Sequence, residues 1–164
     1  VYDPYVESTT IERAGYKVVE TLHAAVSEAD AITCHTPLND ETRGIIGAEQ
    51  FSLMKNNAFI INTARGGVVD EAALIAALQS KTIAGAGIDV FVGEPTHPSA
   101  DHPLFAFDIV IVSPHSAGVT QESLRRTSVE MIQNVLDAFD YTLDPAVVVN
   151  QAILLGAPRS SPGD

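Results

Sequence analysis

Three residues of complementary chemistry stand far apart in the chain: Arg65 in "TARGG", Glu94 in "VGEPTHP" and His115 in "SPHSAG". A carboxylate beside an imidazole fixes its tautomer, orients the ring and favours its protonated form. An imidazole held in that way serves as a general acid or base. A guanidinium holds a carboxylate through two parallel hydrogen bonds and polarises a nearby carbonyl. Taken singly, each residue also has an ordinary explanation. Arg65 reads as a surface arginine near a loop, Glu94 as a solvated loop acid and His115 as a turn histidine. Taken together they form a constellation for proton transfer on an anionic substrate.

The elements that must bring them together alternate along the chain. "YKVVET", "DAITCHT", "NAFIINTA", "IAGAGIDVF" and "DIVIVSP" read as strands, and "VYDP" as the end of a truncated one. The apolar run of "NAFIINTA" predicts a strand buried on both faces. "LHAAVSEA", "AEQFSLM" and "VVDEAALIAALQS" read as helices, the last with Asp70 as N-cap and Glu71 in its first turn. A long helix is predicted over Thr120 to Phe139. There Leu124, Met131, Ile132, Val135, Leu136 and Phe139 recur near a 3.6 period, which predicts one face packed on the core. "VGEPTHPSADHPLFAF" carries three prolines and reads as a long loop. The class is α/β, with a Rossmann-like doubly wound parallel sheet.

Right-handed crossovers place the C-terminal ends of such strands on one edge, where these sheets bind ligands. That edge receives Asp3, then His35, Thr36 and Pro37, then Thr63, Ala64 and Arg65, then Asp89, and last His115, Ser116, Ala117 and Gly118. Asp3 has two readings. At the end of a second Rossmann strand, an acid accepts hydrogen bonds from an adenosine ribose and selects NAD over NADP. In "DP" it equally initiates a turn.

Composition narrows the classes. Nine basic residues against 21 acidic ones leave a net charge of −12, so nothing supplies a footprint for nucleic acid or an anionic membrane. No stretch approaches the roughly 20 apolar residues of a membrane span. The one cysteine, Cys34, rules out an internal disulfide, reads as a small buried side chain and suggests a reducing, cytoplasmic compartment. His23, His97 and His102 show no metal-ligand spacing, and no metal is expected.

"VYDPY", "ADAITCHTPLNDETRGIIG", "FIINTARGGVVDEAALIAAL", "AGAGIDVFVGEP", "HPLF" and "SPHSAGVTQES" together resemble the nucleotide-binding domain of the D-isomer-specific 2-hydroxyacid dehydrogenases. The branch most similar holds the phosphoglycerate, glyoxylate and hydroxypyruvate enzymes. The resemblance implies an Arg–Glu–His triad at Arg65, Glu94 and His115. It implies NAD as cofactor, held by Asp3, Thr36, Pro37, Thr63, Ala64, Arg65, Asp89, His115, Ser116, Ala117 and Gly118. The implied reaction is hydride transfer between a D-2-hydroxy acid and its 2-oxo acid, in a homodimer paired through the nucleotide domain. A non-enzymatic NAD(H)-sensing or corepressor-like module of the same family is the competing reading.

The chain departs from the family at its start. The G-x-G-x-x-G turn, the strand before it and the separate substrate domain are not in the sequence, so the sheet is expected to be truncated on its N-terminal side. In the order 3-2-1-4-5-6 the first strand is central, and its loss strands the second and third from their partner. The chain, which does not begin with Met, is therefore expected to be an incomplete piece of a longer protein, inactive alone, or to have the gap filled by another chain. Residues 1–146 are expected to be a partial NAD-binding domain. Residues 147–164 are expected to cross toward a substrate domain and to end in a disordered, Pro/Gly-rich tail.

Overall fold

A computed structural model describes residues 1–94 and 98–151. It divides into two compact units, Val1–Ala117 and Gly118–Asp164. The first contains helices α1 (Ser8–Arg13), α2 (Leu22–Glu28), α3 (Ala48–Leu53) and α4 (Glu71–Gln79), and strands β1 (Ala31–Cys34), β2 (Phe59–Asn62), β3 (Gly85–Ile88) and β4 (Val110–Val112). The second contains helix α5 (Gln121–Phe139).

The four strands form one parallel sheet in the order β1-β2-β3-β4. Ile60 lies between Ile32 and Ala86, and Asn62 between Cys34 and Ile88. This register aligns the strand C-terminal ends as parallel crossovers require. One core holds Ile60, Ala86 and Ile88 of the sheet with Val26 of α2, Phe51 of α3, and Leu74, Ala77 and Leu78 of α4. Helix α4 is rich in alanine and leucine, strong helix formers. Its start is fixed by Asp70, whose side chain accepts from Ala73 N. Cys34 is buried as expected, and burial pushes its thiol up to about 11, which leaves it unreactive.

Three expectations change. "YKVVET" does not form a strand: residues 16–19 are irregular and Glu20 lies in a bend. Val1 lies beside this stretch, its ammonium donating to Lys17 O (2.6 Å) and its carbonyl accepting from Val19 N (2.9 Å). Apolar patterning confers strand propensity, but a strand forms only against a neighbour of matching length. Strand β2 is not buried on both faces. Ile60 and Asn62 are fully enclosed on the face shared with the helices, while Phe59 and Ile111 on the opposite face are 48% and 78% exposed. A continuous apolar run reports affinity for cover, not its presence. Finally, α5 differs from its expectation in burial. It spans the expected residues and is capped by Thr120, which accepts from Ser123 N, yet buries none of its side chains. Leu124, Ile132 and Leu136 are each more than half exposed. A 3.6 period states which residues share a face, not what covers them.

The described part of the second unit continues past α5 into a short 3₁₀ turn, Pro145–Val147, capped by Asp144. The expected crossing segment and its tail lie from residue 152 onward outside the described residues, as do Pro95, Thr96 and His97 of the proline-rich loop.

Candidate active site

Each strand of the sheet delivers its predicted residues within a few positions after its last paired one. Thr36 and Pro37 follow β1, Thr63, Ala64 and Arg65 follow β2, Asp89 follows β3, and His115, Ser116 and Ala117 follow β4. Gly118 opens the second compact unit.

The turn after β4 is organised by Asp89. This residue is 2% exposed, and its carboxylate accepts from Ser113 Oγ, from Ser116 N (2.9 Å) and from Ala117 N (2.9 Å). Its carbonyl accepts from His115 N (2.8 Å). Burial pushes the Asp89 carboxyl up, but the hydrogen bonds from Ser113, Ala117 and Ser116, with the charge of His115, together hold it below the usual carboxylate range. The clamp supports an uncommon backbone. His115 has φ +52°, a left-handed conformation that is costly for a residue with a Cβ and persists where surrounding contacts over-determine it.

That conformation sets the His115 ring against Glu94. His115 Nδ1 lies 2.5 Å from Glu94 Oε2, and the two side chains are 46% and 26% exposed. An ionised carboxylate only accepts, so the Nδ1 proton is donated to it and Nε2 is the nitrogen left to exchange a proton. The other oxygen, Glu94 Oε1, accepts from Phe91 N (2.7 Å), which ties the carboxylate to the end of β3. A cavity of about 470 Å³ opens beside the pair, walled by Phe91, Phe105, Val112 and Pro114.

Arg65 is placed differently. Its exposed guanidinium donates to Ala64 O (2.6 Å) rather than to Glu94 or His115. Its loop is nevertheless built onto theirs. The Cα of Gly66 sits so close to the β3 exit that a Cβ there would lie 1.9 Å from Phe91 O and 2.7 Å from Val92 N. Only glycine permits that approach. Asn62, fully buried at the end of β2, shapes the same loop: its Oδ1 accepts from Ala64 N and its Nδ2 donates to Arg65 O.

The remaining predicted positions are accessible to differing degrees. Thr36 is half-buried, its hydroxyl donating to Pro37 O (3.4 Å), and Pro37 is exposed. Thr63 is half-buried and Ala64 is 9% exposed. Asp3 is exposed and adopts the turn geometry, Oδ1 accepting from Tyr5 N (2.9 Å), while the Tyr5 hydroxyl donates to Glu41 in the loop after β1. Sequence reading missed Asn62, Ser113, Glu71 and His102 as partners of the site. The signal for Asn62 was an amide ending an otherwise apolar strand; Ser113, Glu71 and His102 were recognisable only through the contacts they make.

Comparisons with known proteins show the family. Residues 1–117, the span of the first compact unit, match the family described as D-isomer specific 2-hydroxyacid dehydrogenase, NAD binding domain. The chain belongs to this family. It is 43% identical over 138 residues to a D-3-phosphoglycerate dehydrogenase of Methanocaldococcus jannaschii, covering 82% of this chain and 26% of that protein. It is 40% identical over 141 residues to a glyoxylate reductase of Aeropyrum pernix, covering 86% of this chain and 40% of that protein. Among solved structures, the NAD-complexed D-isomer specific 2-hydroxyacid dehydrogenase of Lactobacillus delbrueckii superposes with a TM-score of 0.79 at 31% identity, over 91% of this chain and 48% of that one. The chain thus spans less than half the length of these relatives.

Proposed function

We propose that the protein holding this chain is an NAD-dependent dehydrogenase that interconverts a D-2-hydroxy acid and its 2-oxo acid. The observation that carries this reading is the 2.5 Å His115–Glu94 pair on a left-handed turn at the C-terminal edge of a parallel sheet. His115 Nε2 takes the substrate hydroxyl proton, and Glu94 stabilises the imidazolium that results. Arg65, exposed at the next strand end but one, reaches the substrate carboxylate and carbonyl. The names of the relatives, reductases and dehydrogenases of small hydroxy acids, support the same substrate class.

The residues fit a dinucleotide. Thr36 and Pro37, Thr63 to Arg65, Asp89, and His115 to Gly118 would hold it along the strand ends, with Asp3 toward the ribose. NAD supplies the hydride acceptor, the nicotinamide C4. Residues 1–146 serve as the nucleotide domain in this reading, with 147–164 leading toward a substrate domain. The exposed apolar face of α5 supports a homodimer paired through this domain, and the acidic charge and single cysteine support a cytoplasmic protein that binds neither nucleic acid nor membrane.

The test is an absorbance screen of NADH consumption with small 2-oxo acids, using the whole protein. Turnover of at least one acid is expected. NADH binding without turnover of any acid would replace the enzyme with a nucleotide-sensing module.

A further inference from the structure

A second carboxylate–histidine pair lies behind the first. His102 Nε2 stands 3.4 Å from Glu71 Oε2, with the side chains 18% and 21% exposed. His102 Nδ1 accepts from Leu104 N (3.3 Å), so the ring's proton belongs on Nε2, facing Glu71. The other Glu71 oxygen, Oε1, accepts from Val92 N (2.7 Å). Phe91 N, one residue earlier, is the donor to Glu94 Oε1. The two carboxylates therefore grip consecutive amides of one short segment, Glu71 from α4 and Glu94 from the loop that reaches His115.

The Phe91–Val92 peptide is held from every side. Gly66 packs its backbone against it, joining it to the Arg65 loop. The Phe91 ring is buried edge-on to His102 (centroids 5.3 Å, 79°) and to Phe105 (5.8 Å, 77°). Glu71 itself sits on the first turn of α4, a helix anchored in the core through Leu74, Ala77 and Leu78. This makes a continuous strut from the core, through Glu71, to the Phe91–Val92 peptide, which touches the Arg65 loop and directly follows the Val90–Phe91 peptide whose N–H Glu94 accepts.

We propose that Glu71, backed by His102, is a positioning pair for the acid–base site. It locks the Phe91–Val92 peptide and thereby holds the Glu94 carboxylate against His115 Nδ1. The proposal rests on reading Glu94 and His115 as the acid–base pair, but its geometric part stands apart from catalysis.

The experiment is NMR on the whole protein that holds this chain, with labels at the named residues. Amide hydrogen exchange at Phe91 and Val92 and the downfield Nδ1–H signal of the His115 ring are followed in wild type, Glu71→Ala, Glu71→Gln and His102→Gln. Glu71→Ala is expected to speed exchange at both amides about tenfold or more, the scale of one lost hydrogen bond, and to broaden the His115 Nδ1–H signal away. Ile60 and Ile88 in the sheet should keep wild-type exchange. Glu71→Gln retains an acceptor for Val92 N and should restore all three signals, while His102→Gln should give an intermediate loss. Faster exchange at Val92 with Phe91 and the His115 signal unchanged would overturn the proposal. So would uniform loss of protection across the sheet, or failure of Glu71→Gln to rescue. In the whole protein, Glu71→Ala should lower kcat about tenfold with the KM for NADH unchanged, as expected for misplacement of a catalytic group. If His115→Ala leaves turnover intact, the acid–base reading fails while the NMR result still decides the strut.

Discussion

The two carboxylate–histidine pairs use the same side chains for opposite ends. In Glu94–His115 the imidazole bonds through Nδ1 at 2.5 Å, stays 46% exposed and keeps Nε2 open toward a cavity-lined edge. In Glu71–His102 the separation is 3.4 Å, both side chains are about one-fifth exposed, and both ring nitrogens are engaged. An imidazole with one nitrogen anchored and the other free can move a proton; one with both nitrogens occupied can only brace. What distinguishes a candidate catalyst from a strut is not the residue pair but which atoms remain uncommitted.

The sharpest way to break this comparison is to remove the free imidazole. His115→Ala in the whole protein should reduce turnover by roughly 100-fold or more, the scale of general acid–base catalysis. Stopped-flow or steady-state NADH absorbance would measure it. Next in size, Gly66→Ala drives a Cβ into the Phe91 carbonyl. Overpacking against backbone should cost about 1–3 kcal/mol, read as a lower midpoint in urea, together with loss of the His115 Nδ1–H signal, since Glu94 hangs on the displaced segment.

Asp89, which clamps only the His115 turn, gives that turn a pH dependence. Its carboxyl lies below the ordinary range in the folded chain, so it adds stability above the unfolded-state value of about 3.9. That contribution is lost as pH falls through the folded value. Wild type should therefore lose more stability between pH 6 and pH 3 than Asp89→Asn, whose amide cannot accept all the donors at that turn. At pH 6 the variant should be weaker by about 1–2 kcal/mol. Parallel urea titrations check both statements; equal pH dependence would remove Asp89 from its clamping role. The smallest effect expected is from Asp70→Ala, which removes the cap of the helix that carries Glu71. It should cost about 1 kcal/mol and leave the His115 ring signal in place.

The order of elements was legible because strands β1 to β4 and helices α2 to α5 each carry a period or a cap that local chemistry explains. The strand-end positions of Arg65, Asp89 and His115 followed from parallel topology alone. What could not be read is whatever depends on a partner. Residues 16–21 have strand propensity but no ladder with a named strand among the described residues, and the apolar residues of α5 and Phe59 of β2 are patterned for burial yet exposed. The role of His102 was hidden for a related reason. Its partner, Glu71, is 31 positions away, and no spacing rule links a helix's first turn to a loop after the next strand.

The most direct measurement compares the two histidines in one assay. Turnover of a 2-oxo acid with NADH is measured for His115→Gln and His102→Gln in the same whole-protein background. The account predicts a loss of roughly 100-fold or more at His115 and about threefold at His102, less than the loss at Glu71→Ala, with the KM for NADH unchanged at His102. Equal losses, or a larger one at His102, would contradict the assignment of the open imidazole as the acid–base group and the enclosed one as its brace.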